Sequence, residues 1–375
     1  MLYDCAIIGG GLGGLTLSIN MAKRGFRVIV FEKEKFPFHK VCGEYISNES
    51  WNYLVGLGLP LQEMGLPQIR RLVLSSPRGH IFSRPLDPGG FGISRYKIDN
   101  QLKELAVSLS VTVMESCKVE NIEFENDEFR VQTGNGMFLC RICCGSFGKR
   151  SNLDMKMKRG FVKRPANALN NYIAVKYHVR LATPADTISL HNFENGYCGF
   201  SQVEDNIACV CYLTTAAKLR LHNNSIEQME QKLLRKNPHL DEIFSRAIKL
   251  YDAPLTISQI SFESKSSVED HVLMIGDAAG LITPLCGNGM SMAMHAGKIA
   301  AEHIEVFLQG KVSRKEMEKK YQADWDAAFK QRLMTGRMIQ RFFGKEWLTG
   351  FFIRAMQLFP GLADFLISKT HGKPF

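Results

Sequence analysis

The stretch Cys5-Ala-Ile-Ile-Gly9-Gly-Gly11-Leu-Gly-Gly14 decides the N-terminal architecture. Cys5 to Ile8 is a short apolar run, as expected for a parallel strand covered on both faces. Gly9, Gly11 and Gly14 have the G-x-G-x-x-G spacing. The first glycine permits a tight turn, the second lets backbone approach a pyrophosphate, and the third lets helix and strand pack closely. Leu12 and Gly13 complete the loop. Leu15, Ile19 and Ala22 follow at helical spacing, with Gly25 placed to end the helix. The N-terminus of such a helix offers unpaired N–H groups and a positive dipole end to phosphates. A second apolar strand, Val28 to Phe31, leads into Glu32 and Lys33. An acid about 20 residues beyond the glycines suits the 2′-hydroxyl of an adenosine ribose and repels a 2′-phosphate. A lone glycine fingerprint is weak evidence, but here strand, helix, second strand and acid stand in register. The fold class expected is therefore α/β, with a Rossmann-like dinucleotide-binding domain.

A distant segment says which dinucleotide. Val272-Leu-Met-Ile is another apolar strand, followed by Gly276-Asp277-Ala-Ala-Gly280 and then Pro284-Leu-Cys-Gly287-Asn288-Gly289-Met290. Asp277 follows a strand's C-terminal end, where α/β sheets bind ligands, and its carboxylate can accept bonds from ribityl hydroxyls. Met290 to His303 reads as a helix. The N–H groups at its start would face a flavin's pyrimidine edge and stabilise negative charge on the reduced ring. Residues 278–297 lack Lys, Arg, Asp and Glu, but Pro284, Asn288, His295 and the glycines argue against a membrane span. The two segments together indicate FAD.

On these residues the chain resembles the FAD-dependent oxidoreductases of the aromatic-hydroxylase fold, within them the geranylgeranyl reductase and flavin-halogenase branch, over about residues 1–310. Three further stretches carry the resemblance. Lys40-Val-Cys42-Gly43-Glu44 is similar to a segment that lies near the flavin in the reductases. Ser94-Arg95, with Asp99 and Leu102, is similar to one whose arginine contacts the cofactor. Val119 stands where relatives place a backbone contact to adenine. The resemblance implies an antiparallel-sheet substrate domain over the flavin, and Cys42 as the candidate catalytic residue. Cys42 would tune the ring or shape the pocket. Proton donation is the weaker role, since a free thiol is a poor acid at neutral pH. His39 has a side chain suited to proton transfer, though it reads as a solvent-facing loop residue.

The chain also departs from the pattern. Gly145-Ser-Phe147-Gly148 stands where the hydroxylases carry Gly-Ala-Asp-Gly, so NAD(P)H is in doubt as direct reductant and a separate electron-donor protein becomes a candidate partner. The run Tyr197-Cys-Gly-Phe200-Ser-Gln lacks the tryptophan and proline of the reductases' substrate sheet, so a prenyl substrate does not simply carry over. Trp51, Trp325 and Trp347 do not form a tryptophan-halogenase signature, and a halogenase of that type is not expected.

At 375 residues the chain suggests roughly two or three domains. We expect the FAD domain at about 1–75, 92–155 and 265–310, the substrate domain at about 76–91 and 156–264, and a helical segment at 311–375. Tyr172-Ile-Ala-Val-Lys-Tyr, Thr187-Ile-Ser-Leu-His and Ile207-Ala-Cys-Val-Cys-Tyr-Leu alternate as antiparallel strands do. Ser225-Ile-Glu-Gln228 is a capping box opening a helix to Leu234. The start of the chain shows no secretory signal, and ten cysteines in a cytosolic chain of this size are not a disulfide framework. Cys140-x-x-Cys143-Cys144 and Cys209-x-Cys211 read as buried structural cysteines, and no metal site is expected.

The net charge of +10 is uneven: Lys311 to Phe375 carry 13 Lys and Arg against 6 Asp and Glu. No nucleic-acid motif accompanies this charge. Leu348, Phe351, Phe352, Met356 and Phe359, resuming after Pro360-Gly361 with Leu362, Phe365 and Leu366, form an amphipathic face with basic flanks. It would pack on the FAD domain, roof the substrate cavity, or touch the inner face of a membrane from the cytoplasm.

The expected function is FAD-dependent oxidation–reduction of a hydrophobic substrate of isoprenoid, lipid or polyketide type, foremost the reduction of a carbon–carbon double bond. The alternative is monooxygenation of an aromatic or polyketide substrate through a C4a-hydroperoxide. A non-catalytic binding protein on the same fold, as in the Rab GDP-dissociation inhibitors, would have lost the flavin motifs, and they are present here.

Overall fold

A computed structural model describes residues 1–163, 170–283, 287–342, 346–358, 361, 369 and 372–375. The chain starts β1 (Leu2–Ile8), α1 (Leu12–Lys23), β2 (Val28–Phe31), β3 (Tyr45–Ser47), α2 (Trp51–Leu57), β4 (Gln68–Ser75), β5 (Ile81–Gly92) and α3 (Arg95–Ser108). It continues β6 (Thr112–Met114), β7 (Val119–Glu125), β8 (Glu128–Thr133), β9 (Gly136–Gly145), α4 (Asn152–Lys156), β10 (Tyr172–Arg180), β11 (Thr187–Phe193), β12 (Gly196–Gln202) and β13 (Ala208–Thr215). Then come α5 (Ala216–Leu221), α6 (Ile226–Lys232), α7 (Pro238–Arg246), β14 (Ile248–Lys249), β15 (Leu255–Ile260), β16 (Val268–Glu269) and β17 (Val272–Met274). Three helices finish it: α8 (Gly289–Leu308), α9 (Arg314–Phe342) and α10 (Glu346–Leu358).

The first sheet runs β16-β17-β9-β1-β2-β6, with the β7–β8 hairpin joined to β9. Its centre is parallel: β1 pairs β2 and β9, and β9 pairs β17. This places the Gly9 loop and the Gly276 turn side by side at the strands' carboxyl ends, although 260-odd residues separate them in the chain. Cys5–Ile8 of β1 and Ile142–Gly145 of β9 are buried apolar runs at the centre of the sheet. Cys140, Cys143 and Cys144 are all buried in β9, the thiols of Cys5 and Cys144 lying 4.0 Å apart. The reading of these cysteines as core residues holds.

The second sheet runs β14-β10-β13-β12-β11-β4-β5-β3, with β15 also on β10, and is antiparallel except where β11 meets β4. This corrects the expected boundary. β3 and β4 fall inside the range 1–75 assigned to the FAD domain, yet both pair with β5 in the second sheet. Their apolar alternation marks strands but carries no information about which sheet they join.

The period of two divides the second sheet's residues by face. Val175, Tyr177, Phe200, Val210 and Tyr212 pack under α6 and α7. Tyr172, Ala174, Tyr197 and Leu213 point the other way, toward Leu281 of the first domain and Ile353 and Met356 of α10. Ser225 caps α6 by accepting from the Gln228 N–H, as the capping box predicts.

Candidate cofactor and active site

The glycine loop is built to leave room. Gly9 has φ +109°, and a Cβ there would lie 2.3 Å from the Ser146 carbonyl oxygen. A Cβ on Gly14 would lie 2.2 Å from the Gly9 oxygen, so the close strand–helix packing is obligatory. Gly13 meets the Ala293 carbonyl of α8 in the same way, at 2.9 Å. Gly11, at the N-cap of α1, differs: its nearest neighbours are the cationic ends of Arg95 (3.6 Å) and Lys40 (4.0 Å). An anion over Gly11 would meet backbone N–H groups, a helix N-terminus and two cations.

Those cations are held in place. Arg95, the first residue of α3, makes two 2.8 Å bonds to Asp99 one turn on. Lys40 reaches the same carboxylate at 3.0 Å and lies 3.9 Å from Glu32. Burial would raise Asp99, but Arg95 and Lys40 override it and hold the carboxyl below its usual range. Glu32 is buried and accepts the Gly10 N–H at 3.0 Å, fixing the loop to the end of β2. Its other oxygen accepts from Glu34 N–H. Lys33 is exposed beside Glu34, turned from the glycine loop. Val119 opens β7, two residues beyond Cys117, whose N–H bonds to the Glu32 carbonyl; this brings it to the Glu32 side of the site.

At the other end, Gly276 has φ +62° and faces Ala293 of α8, and Asp277 follows it in a single turn of 3-10 helix. Two cations, the fully buried Arg159 and the half-buried Lys265, grip this turn. Lys265 donates to the Asp277 carbonyl at 2.8 Å and Arg159 to the Ala278 carbonyl at 2.9 Å. Burial lowers Lys265 to about 8. Gly287 has φ +63° and packs on the Tyr45 ring, Asn288 is fully buried, and Gly289 and Met290 open α8. Pro284, Leu285 and Cys286 lie outside the described residues. The hydroxyls of Tyr45 and Ser291 are buried with no hydrogen-bond partner among the described residues, marking polar capacity beside the α8 start.

Between the two ends lies Cys42. It is half-buried, with its sulfur 3.6 Å from that of Met290, so the Lys40–Glu44 segment touches the start of α8. Gly43 is exposed. Glu44 has φ +56°, a strained region for a non-glycine residue, and is completely buried. Its carboxylate accepts from Lys176 Nζ and His178 Nε2, each at 2.5 Å, and from the Arg95 N–H at 2.8 Å. Burial alone would raise this carboxyl. The Lys176 charge and the His178 bond overcome it and bring it down to about 2. Cys209 stands opposite His178 and its thiol contacts the Cys42 carbonyl. Glu44, His178 and Cys209 offer donor atoms within 4.8 Å of one another, but Lys176 already supplies the positive charge there. Sequence reasoning missed Lys176 and His178. In Tyr172–Arg180 they sit at alternate positions, a pattern that ordinarily marks a solvent face.

The profile of the NAD(P)-binding Rossmann-like domain matches residues 7–58. Conditioned medium factor receptor 1 of Dictyostelium discoideum is 23% identical, over 88% of this chain and 68% of that protein. Among solved structures, the flavin-dependent brominase Bmp2 superposes with a TM-score of 0.80 at 21% identity, over 99% of this chain and 93% of the brominase. A geranylgeranyl bacteriochlorophyll reductase-like protein of Thermoplasma acidophilum gives 0.78 at 17% identity, over 98% and 92%. The chain has the fold of these flavin-dependent proteins. FAD fits the residues present: an anion cradle at Gly11 with Arg95 and Lys40, a carboxylate at the Asp277 turn, and buried unpaired hydroxyls at the start of α8. Phe147, which stands where the hydroxylases carry an aspartate, has its ring against Gly145.

Proposed function

We propose that the chain reduces a carbon–carbon double bond in a hydrophobic substrate of isoprenoid, lipid or polyketide type. The observation that carries this reading is the contact of Cys42 with Met290 at the start of α8, beside Cys209 of the second sheet. Bound FAD, once reduced, would supply the hydride. The protein's own work is positional. Gly11, Arg95 and Lys40 would hold the pyrophosphate and Asp277 the ribityl chain, with Glu32 fixing the loop and Gly287, Asn288, Gly289 and Met290 at the ring. The α8 N-terminus would stabilise the reduced ring's negative charge. Cys42 to Ser47 would form one wall of the cavity and Tyr197 part of another, excluding water. Phe200 faces α6 and α7 instead. With phenylalanine at 147, a separate electron-donor protein is the proposed source of electrons, NAD(P)H the other candidate.

The second reading is oxygen-dependent hydroxylation of an aromatic or polyketide substrate, and the fold likeness to a probable FAD-dependent monooxygenase of Pseudomonas aeruginosa, with a TM-score of 0.71, favours it. Rapid mixing of photoreduced protein with oxygen tests the two. Direct return to the oxidised spectrum supports the reductase; a lasting intermediate spectrum supports oxygen chemistry. Cys42→Ala adds a second test: lost turnover with FAD retained means a direct role, and retained turnover with changed selectivity means a wall.

A peripheral membrane contact through the tail belongs to the same proposal. Among the described residues no helix is long and apolar enough to cross a membrane. Met334, Met338, Phe351 and Leu358 are more than half exposed in a segment rich in Lys and Arg, which suits an anionic lipid surface. Failure of the intact protein to co-sediment with anionic vesicles would remove this part.

A further inference from the structure

We propose that Glu204, on the turn between β12 and β13, is a positioning residue for the cofactor's pyrophosphate: it sets the first turn of α3 and so the reach of Arg95 over Gly11. Glu204 belongs to the second sheet and lies 110 residues beyond the helix it holds. It is buried, and both of its carboxylate oxygens go to Ser94, the N-cap of α3. One accepts the Ser94 N–H at 2.8 Å and the other accepts the Ser94 hydroxyl. The hydroxyl oxygen in turn accepts the Lys97 N–H, which closes the helix cap. The turn that carries Glu204 is tightly folded. Asp205 and Asn206 both take the left-handed conformation, with φ +58° and +55°, and the Val203 N–H bonds the Ile207 carbonyl at 2.8 Å. Its approach to α3 is close as well. A Cβ on Gly92 would lie 1.9 Å from the Gln202 carbonyl oxygen, so glycine is needed for the end of β12 to press on the chain entering the helix.

Three successive N–H groups on the way into α3 have fixed acceptors. Ile93 donates to the Glu44 carbonyl at 3.1 Å, Ser94 to Glu204, and Arg95 to the Glu44 carboxylate at 2.8 Å. Glu44 is itself held by Lys176 and His178 of β10. The second sheet therefore fixes the start of α3 through two acidic side chains, at the helix end where acids are favoured. With that end occupied, α3 offers an anion the Arg95 guanidinium. Asp99, which orients the guanidinium through two 2.8 Å bonds, sits one turn into the same helix. Arg95 and Asp99 move with α3 as one body, so a slip of its first turn carries the guanidinium off the Gly11 loop. Glu204 spends both oxygens on Ser94 and acts on the anion only through Arg95.

The role assigned to Glu204 rests on the reading of the Gly11 loop as a pyrophosphate site and is independent of the reaction. Calorimetric titration of the full-length protein, freed of flavin, with ADP as the probe tests it. The wild type, Arg95→Gln, Glu204→Gln and the double variant are compared. Glutamine keeps the size of Glu204 but sets an NH2 group against one of the two Ser94 donors. Arg95→Gln should weaken ADP binding at least about tenfold and Glu204→Gln at least about threefold. The double variant should bind no more weakly than Arg95→Gln. A merely structural role predicts losses that add in the double variant. Full ADP affinity in Arg95→Gln removes the pyrophosphate reading itself. A loss in Arg95→Gln with a smaller effect than threefold in Glu204→Gln, or losses that add, overturns the positioning role and leaves that reading standing. Should Glu204→Gln fail to fold, Ser94→Ala makes the same comparison, because it removes the hydroxyl bond to Glu204 and keeps the N–H bond.

Discussion

Lys176 shows how far a single side chain's meaning depends on its partner. It is 1% exposed and shares Glu44 with His178, at the seam between the two sheets. Lys176→Met removes one partner and leaves the carboxylate buried against a single histidine. A loss of about 3–5 kcal/mol in urea unfolding is expected. The double variant with Glu44→Gln should recover much of it. Asp277 belongs to the same scale. Asp277→Ala should weaken FAD retention by roughly 1–3 kcal/mol, since ribityl hydroxyls would lose their acceptor in a buried turn. An FAD titration checks this, and unchanged affinity would mean that the turn does not hold the ribityl chain. His39 was expected to face solvent. The fold half-buries it between Tyr96, Tyr251 and His178, none of which is near it in sequence.

At the scale of elements, α8 and α10 show opposite uses of an apolar helix. The uncharged stretch within residues 278–297 becomes the start of α8, buried on nearly every side because it crosses α1. Gly297 permits this contact, for a Cβ there would lie 2.8 Å from the Gly13 oxygen. Among the described side chains of α10, Thr349, Ile353 and Met356 are buried, the last two against the second sheet. Of the apolar face read from the sequence, Met356 is buried and Phe352 half-buried, while Phe351 is 70% exposed. Phe359, Pro360, Leu362, Phe365 and Leu366 lie outside the described residues, as does the side chain of Leu348. Ile353→Ala should cost about 2–5 kcal/mol by thermal or urea unfolding. Phe351→Ser should change stability by less than about 0.5 kcal/mol. If α10 also docks on lipid, only the second variant should weaken vesicle binding at constant stability.

For the whole molecule, the seam couples stability to pH. Glu44 is brought to about 2 in the folded chain from an ordinary 4.5. A carboxyl depressed by folding stabilises above its unfolded value and loses that contribution as pH falls through the folded one. Stability should therefore drop between about pH 4.5 and pH 2. The Glu44 share is on the order of 3 kcal/mol. Asp99 moves in the same direction, held down by Arg95 and Lys40 against the effect of its burial. Acid unfolding compared between the wild type and Glu44→Gln checks this: the variant should have a flatter acid limb.

What the sequence determined by itself is local. Cys5 to Gly14, Glu32 and the Gly276-Asp277 turn announce a dinucleotide site because strand, glycine turn and helix start are set by neighbours within about a dozen residues. The alternating strands of the second sheet and the Ser225 cap are legible for the same reason. Tertiary structure alone decided which sheet takes β3 and β4, that both faces of Tyr172–Arg180 are buried, and which side of α10 is buried. Each of these depends on what arrives from elsewhere in the chain. A strand has two faces and a helix a full turn of them, and only the surface that covers one distinguishes it. Glu44 finds its partners 132 and 134 residues away, and no local pattern encodes that meeting.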